Sequence, residues 1–416
     1  MEVLIINQYA GNKGDRAVAY CEIRELLKCK SISKIYLSTS SPQWWSEKDS
    51  ITKSPKVSII PWGWDVSNFS PRNRIAWEHR RFMRYIALPL VVFFYNINKK
   101  IPYWISKLYT SGKFIEAVRK SDVIISTGGH HLTTRFCTDL RGELFFDLLT
   151  ASMYKPIILW SQTYGPFNFH NRKFRYACKK LLESSEIYVR DIQSEEAVRS
   201  LGVTSPINKT YETVIGLEDE IEKYVLPSER EKKIGITIYN AEYRTDGEYR
   251  KYINLMAQVT DYLCSLGYRV KFFPHEMKGA VINDRKCIAD ILLLCTNKDS
   301  IIYNDEDSTT KEHLLELSEC CMFIGHKTHS VIFALTVGTP LLAISYHPKT
   351  RDFLKLYDLE DDVIDEENLT FDNMKIKIDY IIANLDVIGM KQREKSCQFG
   401  KIVRDTFISA VLKHEK

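Results

Sequence analysis

Residues 323–349 constrain the fold of this chain more than any other segment. An apolar strand ends at Gly325, a polar turn follows, and residues 330–337 are apolar enough to form a buried helix. Gly338-Thr339-Pro340 ends that helix, and residues 341–345 predict a second buried strand. Strands and helices that alternate in this way are typical of an open α/β sheet.

Four polar residues lie where those two strands end. His326, Lys327 and His329 follow the first strand, and Lys349 lies just beyond the second. In open α/β sheets ligands bind at the carboxyl ends of strands, and imidazoles with two lysines suit an anionic substrate and a proton transfer. Because residues two apart on an extended segment share a face, we expect Lys327 and His329 to point together, with His326 turned away.

The same alternation of strands and helices runs through both halves of the chain. It predicts an α/β protein of two Rossmann-like domains that face each other across a cleft. The predicted parts are an N-terminal domain over 1–217 with a basic, apolar insertion near 66–112, a charged linker over 218–233, a C-terminal domain over 234–389, and a docked helix over 390–416.

The ten cysteines are irregularly spaced and include no C-x-x-C pair. They indicate neither a zinc site nor a disulfide framework, so the sequence predicts a reducing cytoplasm. The first residues, Met1 to Asn7, lack the basic region of a signal peptide and predict a first core strand.

A basic and apolar segment stands out between Arg72 and Lys120, where eleven Lys or Arg residues accompany two acids. It contains the apolar run Ile86–Tyr95, which is too short to span a bilayer. Basic and aromatic flanks around an apolar run suit a contact with the inner membrane surface through residues 72–110. The alternative is a buried helix whose basic face is solvated. Since no nucleic-acid-reading motif appears, we expect no nucleic-acid partner.

A turn after the first strand carries Asn12, Gly14 and Asp15. Gly14 permits a tight turn, and Asp15 is a natural N-cap for the helix that follows. The exposed N–H groups of such a turn bind an anion or a sugar hydroxyl; the alternative is a simple capped turn. The spacing is not G-x-G-x-x-G, which argues against an NAD enzyme.

Two further strand ends in the first half carry polar or flexible residues. Gly128 and Gly129 let the backbone approach a ligand closely, and His130 and His131 come directly after them. Because adjacent residues diverge, at most one of these histidines points into a site. Gln162 closes the next strand in the same way.

Arg190 and His275 complete the candidate set. Arg190 follows a strand, and its planar guanidinium suits phosphate or carboxylate; the alternative is a structural salt bridge with Asp191 or Glu195. Asp191 is also expected to cap the next helix. His275 ends a strand of the second half, where it either faces the cleft or is a cap or surface residue.

Five short motifs, in order between about Ile6 and Leu359, resemble those of the polysaccharide pyruvyl transferases. In this family arginine stands where this chain has Lys327, and lysine keeps the charge but loses the bidentate fork. The motifs are Asn12-Lys-Gly-Asp15, Gly128-Gly129, Gln162-Thr-Tyr-Gly-Pro166, Val189-Arg-Asp-Ile-Gln-Ser194, and Lys327-Thr-His329 with Ala334, Gly338-Thr-Pro340 and Tyr346-His-Pro-Lys349.

The resemblance implies a glycosyltransferase-B-like architecture and an enzyme that takes phosphoenolpyruvate as donor. Such enzymes build a cyclic pyruvate ketal on two hydroxyls of a sugar and release phosphate, with no metal or redox cofactor required. By the same resemblance His329 is the general acid, and Arg190, Lys327 and Lys349 bind the donor. The acceptor- or phosphate-binding candidates are Asn12, Gly14, Asp15, Gly128, Gly129, His130, Gln162 and His275.

Two other functions stay open. One is a nucleotide-sugar glycosyltransferase of the same architecture; the other is a non-catalytic member of a polysaccharide assembly complex, which Lys327 in the arginine position favours. Three kinds of saccharide acceptor stay open as well: a lipid-linked, a nucleotide-linked and a polymeric one. We expect a cytoplasmic protein that attaches peripherally to the inner membrane if the basic segment contacts lipid.

Overall fold

The computed structural model describes residues 1–63, 74–135, 137–239, 244–275, 283–345 and 348–415. The start of the predicted insertion, residues 66–73, lies outside this part of the chain, as do Tyr346, His347 and the side chain of Lys349. The described residues form two compact units. One comprises Met1–Ala10, Asp15–Thr213 and Ile402–Lys416, and the other comprises Gly11–Gly14 and Val214–Lys401.

The first unit is built on a parallel sheet in the order β3-β2-β1-β4-β6-β7-β8, with β5 paired to β6. Its strands are β1 (Glu2–Gln8), β2 (Lys34–Thr39), β3 (Val57–Pro61), β4 (Val123–Ser126), β5 (Gly129–Leu132), β6 (Ile157–Tyr164), β7 (Glu186–Val189) and β8 (Ile207–Lys209). Its helices are α1 (Lys13–Lys28), α2 (Pro42–Lys48), α3 (Arg74–Asn96), α4 (Tyr103–Tyr109), α5 (Gly112–Lys120), α6 (Glu143–Ser152), α7 (Arg172–Ser184) and α8 (Ile192–Ser200).

The second unit is built on a parallel sheet in the order β11-β10-β9-β12-β13-β14. Its strands are β9 (Lys233–Ile236), β10 (Arg269–Phe272), β11 (Ile301–Tyr303), β12 (Met322–Gly325), β13 (Leu341–Ser345) and β14 (Val363–Asp365). Its helices are α9 (Asp246–Ser265), α10 (Asp284–Leu294), α11 (Thr310–Ser318), α12 (Thr328–Val337), α13 (Pro348–Leu356), α14 (Phe371–Ala383) and α15 (Leu385–Leu412), the last of which ends in the first unit.

The predicted fold class, two Rossmann-like α/β domains, is confirmed. Strands such as β6 and β13 are buried along their whole length, as expected for parallel strands with helices on both faces of the sheet. Each sheet reverses its strand order once, between β1 and β4 and between β9 and β12. Ligands of open α/β sheets bind at such points, so the turns that follow these four strands are the places to look for a site.

Helix α3 covers about half of the predicted basic, apolar insertion. One face of it is buried against α6 and α7 and carries Ala87, Leu88, Val91, Val92 and Tyr95. No helix in the described ranges is long and apolar enough to cross a bilayer. One face of α3 is therefore buried, as in the alternative of a buried helix, while the membrane contact stays a prediction.

The end of α15 completes the core of the first unit. The Phe407 ring lies 4.9 Å from the Trp160 ring, and Val403 and Val411 are buried beside it. Trp160 lies in β6, an inner strand of the sheet, so the end of α15 packs against residues far earlier in the sequence.

We predict that Phe407→Ala lowers the free energy of unfolding of the first unit by about 3–5 kcal/mol, because it leaves a cavity against Trp160. Chemical denaturation followed by tryptophan fluorescence measures the change. Ile192→Ala is the matched control: Ile192 is exposed on α8 and should change the value by less than about 0.5 kcal/mol. Equal losses in the two variants would show that the end of α15 is not part of this core.

Candidate active site

The turn between β12 and α12 differs from the extended segment expected from the sequence. Helix α12 begins at Thr328, so His329 lies in its first turn rather than on an extended segment with Lys327, and that geometric prediction is wrong. Gly325 permits the tight turn, since a Cβ built on it would lie 3.0 Å from a Val331 methyl carbon. As predicted, the helix ends at Gly338, which adopts φ = 66°.

His329 is half-buried, unlike the two residues that precede α12. It lies near the N-terminus of the helix, where backbone N–H groups point outward and the positive end of the helix dipole favours an anion. An imidazole in this position can donate a proton to a bound anionic substrate.

Lys327 is buried and paired with Asp284 at the start of α10. Its ammonium lies 2.9 Å and 3.0 Å from the two carboxylate oxygens. The same carboxylate accepts the backbone N–H of His275 at 2.9 Å. The charge of Lys327 is therefore fixed in place by a structural ion pair. The sequence did not single out Asp284 as its partner, because an acid in the first turn of a helix is common.

His326 is fully buried in a polar and aromatic pocket. Its Nδ1 lies 2.8 Å from the Tyr252 hydroxyl, and its backbone N–H donates to Thr237 Oγ1 at 2.9 Å. Burial, together with the nearby charges of Arg244 and Lys327, holds the pKa of His326 well below its usual range. His326 is therefore a neutral core residue at pH 7.

His275 is also buried and neutral, so the surface interpretation offered by the sequence is wrong. Its ring lies 4.9 Å from the His313 ring and 5.8 Å from the Phe333 ring. Burial and nearby cations hold the pKa of His275 well below the ordinary value. Its Nε2 makes no hydrogen bond to the described residues.

In the turn after β1, Asn12 and not Asp15 caps the helix. The Asn12 Oδ1 accepts the Gly14 N–H at 2.7 Å, and α1 begins at Lys13 with Asp15 in its first turn. Both residue types are favoured N-caps, and the helix starts at the earlier one. The prediction that Asp15 is the N-cap is therefore wrong.

Gln162 fastens the glycine turn that follows β4. Its Nε2 donates to the Ser126 carbonyl at 3.0 Å, the Ser126 hydroxyl at 2.6 Å and the Thr127 carbonyl at 3.2 Å. Gly129 has φ = +147°, a conformation that side chains disfavour. Gln162 is fully buried, so in the structure its amide supports the turn from within the sheet.

The two histidines after this turn diverge, as the sequence predicted. His130 is exposed, whereas His131 is half-buried and its Nε2 lies 3.2 Å from the Gly128 carbonyl. Burial lowers the pKa of His131 to about 4, so the ring is neutral and donates to that carbonyl.

Arg190 forms the structural salt bridge that the sequence left open, but with Glu212 rather than with Asp191 or Glu195. Its Nε and Nη2 donate to Thr163 Oγ1 at 3.2 Å and 2.8 Å. Asp191 caps α8 as predicted, because its Oδ1 accepts the Ser194 N–H.

A second buried carboxyl, Glu22, lies near this pair and was not anticipated. Its Oε1 accepts the Thr127 hydroxyl at 2.9 Å, and burial with the nearby Glu212 raises the pKa of Glu22 to about 8. Burial also raises the pKa of Glu212, against the effect of Arg190. The sequence signal was available: Glu22 stands between Val18 and Leu26 on the apolar stripe of α1.

At the strand ends, therefore, most of the candidate polar side chains are buried and support the structure, and a few are accessible. Lys327, Gln162 and Arg190 hold turns or carboxylates in place, whereas His329 and His130 reach solvent. The described residues include no group of three or more side chains of His, Cys, Asp or Glu suited to a metal ion.

Comparison with known proteins agrees with the family resemblance seen in the sequence. Residues 12–348 match the model of the polysaccharide pyruvyl transferase family. The chain is 21% identical to the amylovoran biosynthesis protein AmsJ of Erwinia amylovora, over 99% of each protein.

Two solved structures share the fold at low sequence identity. A putative UDP-N-acetylglucosamine 2-epimerase from Listeria monocytogenes is 9% identical, with a TM-score of 0.57 over 99% of this chain and 96% of that one. HepE from Anabaena, in complex with UDP-glucose, is 10% identical, with a TM-score of 0.56 over 99% and 100%. These neighbours are glycosyltransferase-B-like, which confirms that part of the predicted fold class.

We predict that Asp284→Ala lowers the free energy of unfolding of the second unit by about 3–5 kcal/mol, because it leaves the Lys327 ammonium buried without its partner. Urea denaturation measures the loss. Arg351→Ala is the control, since it breaks the largely exposed Arg351–Asp365 pair of the same unit, and it should change the value by about 1 kcal/mol or less. A loss that small in Asp284→Ala would mean that the buried pair does not hold this turn.

We also predict that the second unit loses stability as the pH falls below about 6.5. His275 and His326 have lowered pKa values in the folded chain, so the unfolded state takes up protons first. At pH 5.5 each contributes up to about 1.4 kcal/mol of lost stability. Denaturation at pH 7.5 and 5.5 measures the difference, and His275→Gln with His326→Gln should reduce it. A wild-type chain with no such pH dependence would contradict the prediction.

Proposed function

The chain belongs to the polysaccharide pyruvyl transferase family, and from that membership we propose that it transfers pyruvate from phosphoenolpyruvate to a sugar of a cell-surface polysaccharide precursor. The product is a cyclic ketal on two sugar hydroxyls, and phosphate is released. The family match and the likeness to an amylovoran biosynthesis protein support a polysaccharide-modifying transferase. The observation that carries the proposal is the family match, which includes the β12–α12 turn with His329.

The reaction needs one proton donated to carbon. In the proposal His329 protonates the methylene carbon of phosphoenolpyruvate, which makes the neighbouring C2 electrophilic. One sugar hydroxyl adds to C2, the bond from C2 to the phosphate oxygen breaks, and the second hydroxyl closes the ring. The two hydroxyl protons balance the proton given to carbon and the one carried away by phosphate.

The surroundings of His329 suit this role. The N-terminus of α12 favours the phosphate or carboxylate of the donor, and the nearby His275 and His326 are neutral, so they neither compete for the anion nor repel a protonated His329. Lys327 would add its charge from the position that Asp284 fixes. The donor-binding roles of Arg190 and Lys349 stay part of the proposal through the family resemblance.

One observation favours a second function, glycosyl transfer from a nucleotide sugar. HepE, which shares the fold, was solved with UDP-glucose. A thermal-shift comparison of phosphoenolpyruvate with UDP-glucose separates the two donors. Mass spectrometry then decides the transfer: an acceptor that gains one pyruvate less one water supports the proposal, and one that gains a hexose supports the alternative.

The acceptor is proposed to be a saccharide, with a lipid-linked one at the inner membrane surface as the first choice. The basic, apolar character of residues 72–110 motivates this choice. Lipid-linked, nucleotide-linked and polymeric acceptors offered in parallel identify the class from the products.

We predict that His329→Ala lowers turnover by about 10²-fold or more while phosphoenolpyruvate binding stays within a few-fold, because the acid acts mainly in the transition state. Steady-state phosphate release and calorimetry measure the two quantities. His170→Ala, an exposed histidine, is the control and should keep normal turnover. Normal turnover in His329→Ala would remove His329 from the chemistry.

We further predict that Lys327→Arg stays active, because it restores the family's residue and keeps the charge beside Asp284. Turnover and donor affinity, assayed with wild type as control, measure the result. A chain that gains activity from this substitution would show that lysine limits the natural enzyme. Inactivity of both proteins with every acceptor and with phosphoenolpyruvate would favour a non-catalytic assembly role.

A further inference from the structure

The outward face of α3 carries a continuous apolar stripe. Phe82, Ile86, Leu90 and Phe93, with Ile97 just after the helix, are spaced by three or four residues and therefore lie on one side. All five are exposed, with Phe82 at 62% and Phe93 at 51%. The stripe runs for about 22 Å, and Trp104 of α4, exposed at 67%, is a further apolar side chain in the same segment.

The opposite face of α3 is anchored, so the stripe is not an unpacked core surface. Val91, Val92 and Tyr95 are buried in the core of the first unit. The Tyr95 hydroxyl lies 3.3 Å from the Ser184 hydroxyl of α7, and Lys180 donates to the Tyr95 carbonyl. The helix is thus held on one side and presents large apolar side chains to solvent on the other, which marks an interaction surface.

The positive charge of the segment around the stripe indicates which kind of partner the stripe binds. From position 79 to 113 the sequence has seven Lys or Arg residues and no Asp or Glu. Lys99, Lys100 and Lys107, which follow the stripe in the sequence, are exposed. A partner must therefore offer both negative charge and apolar depth along about 22 Å. The interfacial region of an anionic bilayer offers both, and an exposed helix with basic flanks lies in that plane without crossing it.

We propose that α3 docks the protein on an anionic membrane surface, with the stripe inserted among the lipids and the flanking lysines on their headgroups. The proposal deepens the proposed function, because it names the surface that would bring the enzyme to a lipid-linked acceptor, and to that extent it rests on that function. The binding itself needs neither donor nor acceptor.

Vesicle flotation of the full chain tests the docking. Binding is expected to vesicles of phosphatidylcholine with phosphatidylglycerol, to be weaker with phosphatidylcholine alone, and to fall as salt rises. Leu90→Gln with Phe93→Gln should lower partitioning about tenfold or more. Lys99→Glu with Lys100→Glu should remove most of the preference for anionic vesicles. The control, Leu293→Gln with Ile376→Gln, changes two apolar residues on α10 and α14 that are more exposed than Leu90 and Phe93, and it should bind normally.

The outcomes separate the docking from the chemistry. Failure of the unmodified protein to float at low salt, or an equal loss in the control variant, overturns the membrane surface whatever the activity. A stripe-dependent dimer or a stripe-dependent protein complex without vesicle binding overturns it too, in favour of a protein interface. Flotation without pyruvyl transfer leaves the docking standing and removes the proposed function. The stripe variants should keep phosphate release with a soluble acceptor.

Discussion

The buried ion pair between Lys327 and Asp284 is the interaction on which the geometry of the candidate active site depends. The Asp284 carboxylate takes the Lys327 ammonium and the His275 N–H together, so it ties the turn after β12 to the turn after β10. An uncompensated charge at this depth would cost several kcal/mol, so neither partner can turn away without the other. The pair fixes Lys327, the residue directly before α12, and His329 follows in the first turn of that helix.

In the first unit, other buried polar residues likewise hold the turns at the strand ends. Arg190 joins Glu212 and Thr163, and Gln162 holds the carbonyls and hydroxyl of the glycine turn. In both units, therefore, the polar residues that end a parallel strand mostly hold one another. The accessible residues, His329 above all, owe their position to these buried neighbours and are few for that reason.

Much of the fold could be predicted from the sequence, because apolar runs bounded by glycine, proline or charged residues indicate buried strands and helices. The strand Leu341–Ser345 has the bounds that the sequence predicts. Short edge elements such as β8 and β14 were missed, since three residues carry too little pattern. The partners of Lys327 and Arg190 were missed for another reason: Asp284 and Glu212 come from distant or unpatterned positions, and only the folded sheet brings them together.

The distribution of charge separates the two proposed activities of the chain. The excess of +9 between Arg72 and Lys120 is larger than the net charge of +5 for the whole protein, so the remaining residues are slightly acidic. If phosphoenolpyruvate is the donor, as proposed, a general positive field therefore does not concentrate it, and local groups such as the α12 N-terminus would bind it. The basic excess is instead concentrated in the segment that contains α3, where in our proposal charge at an apolar surface serves attachment rather than catalysis.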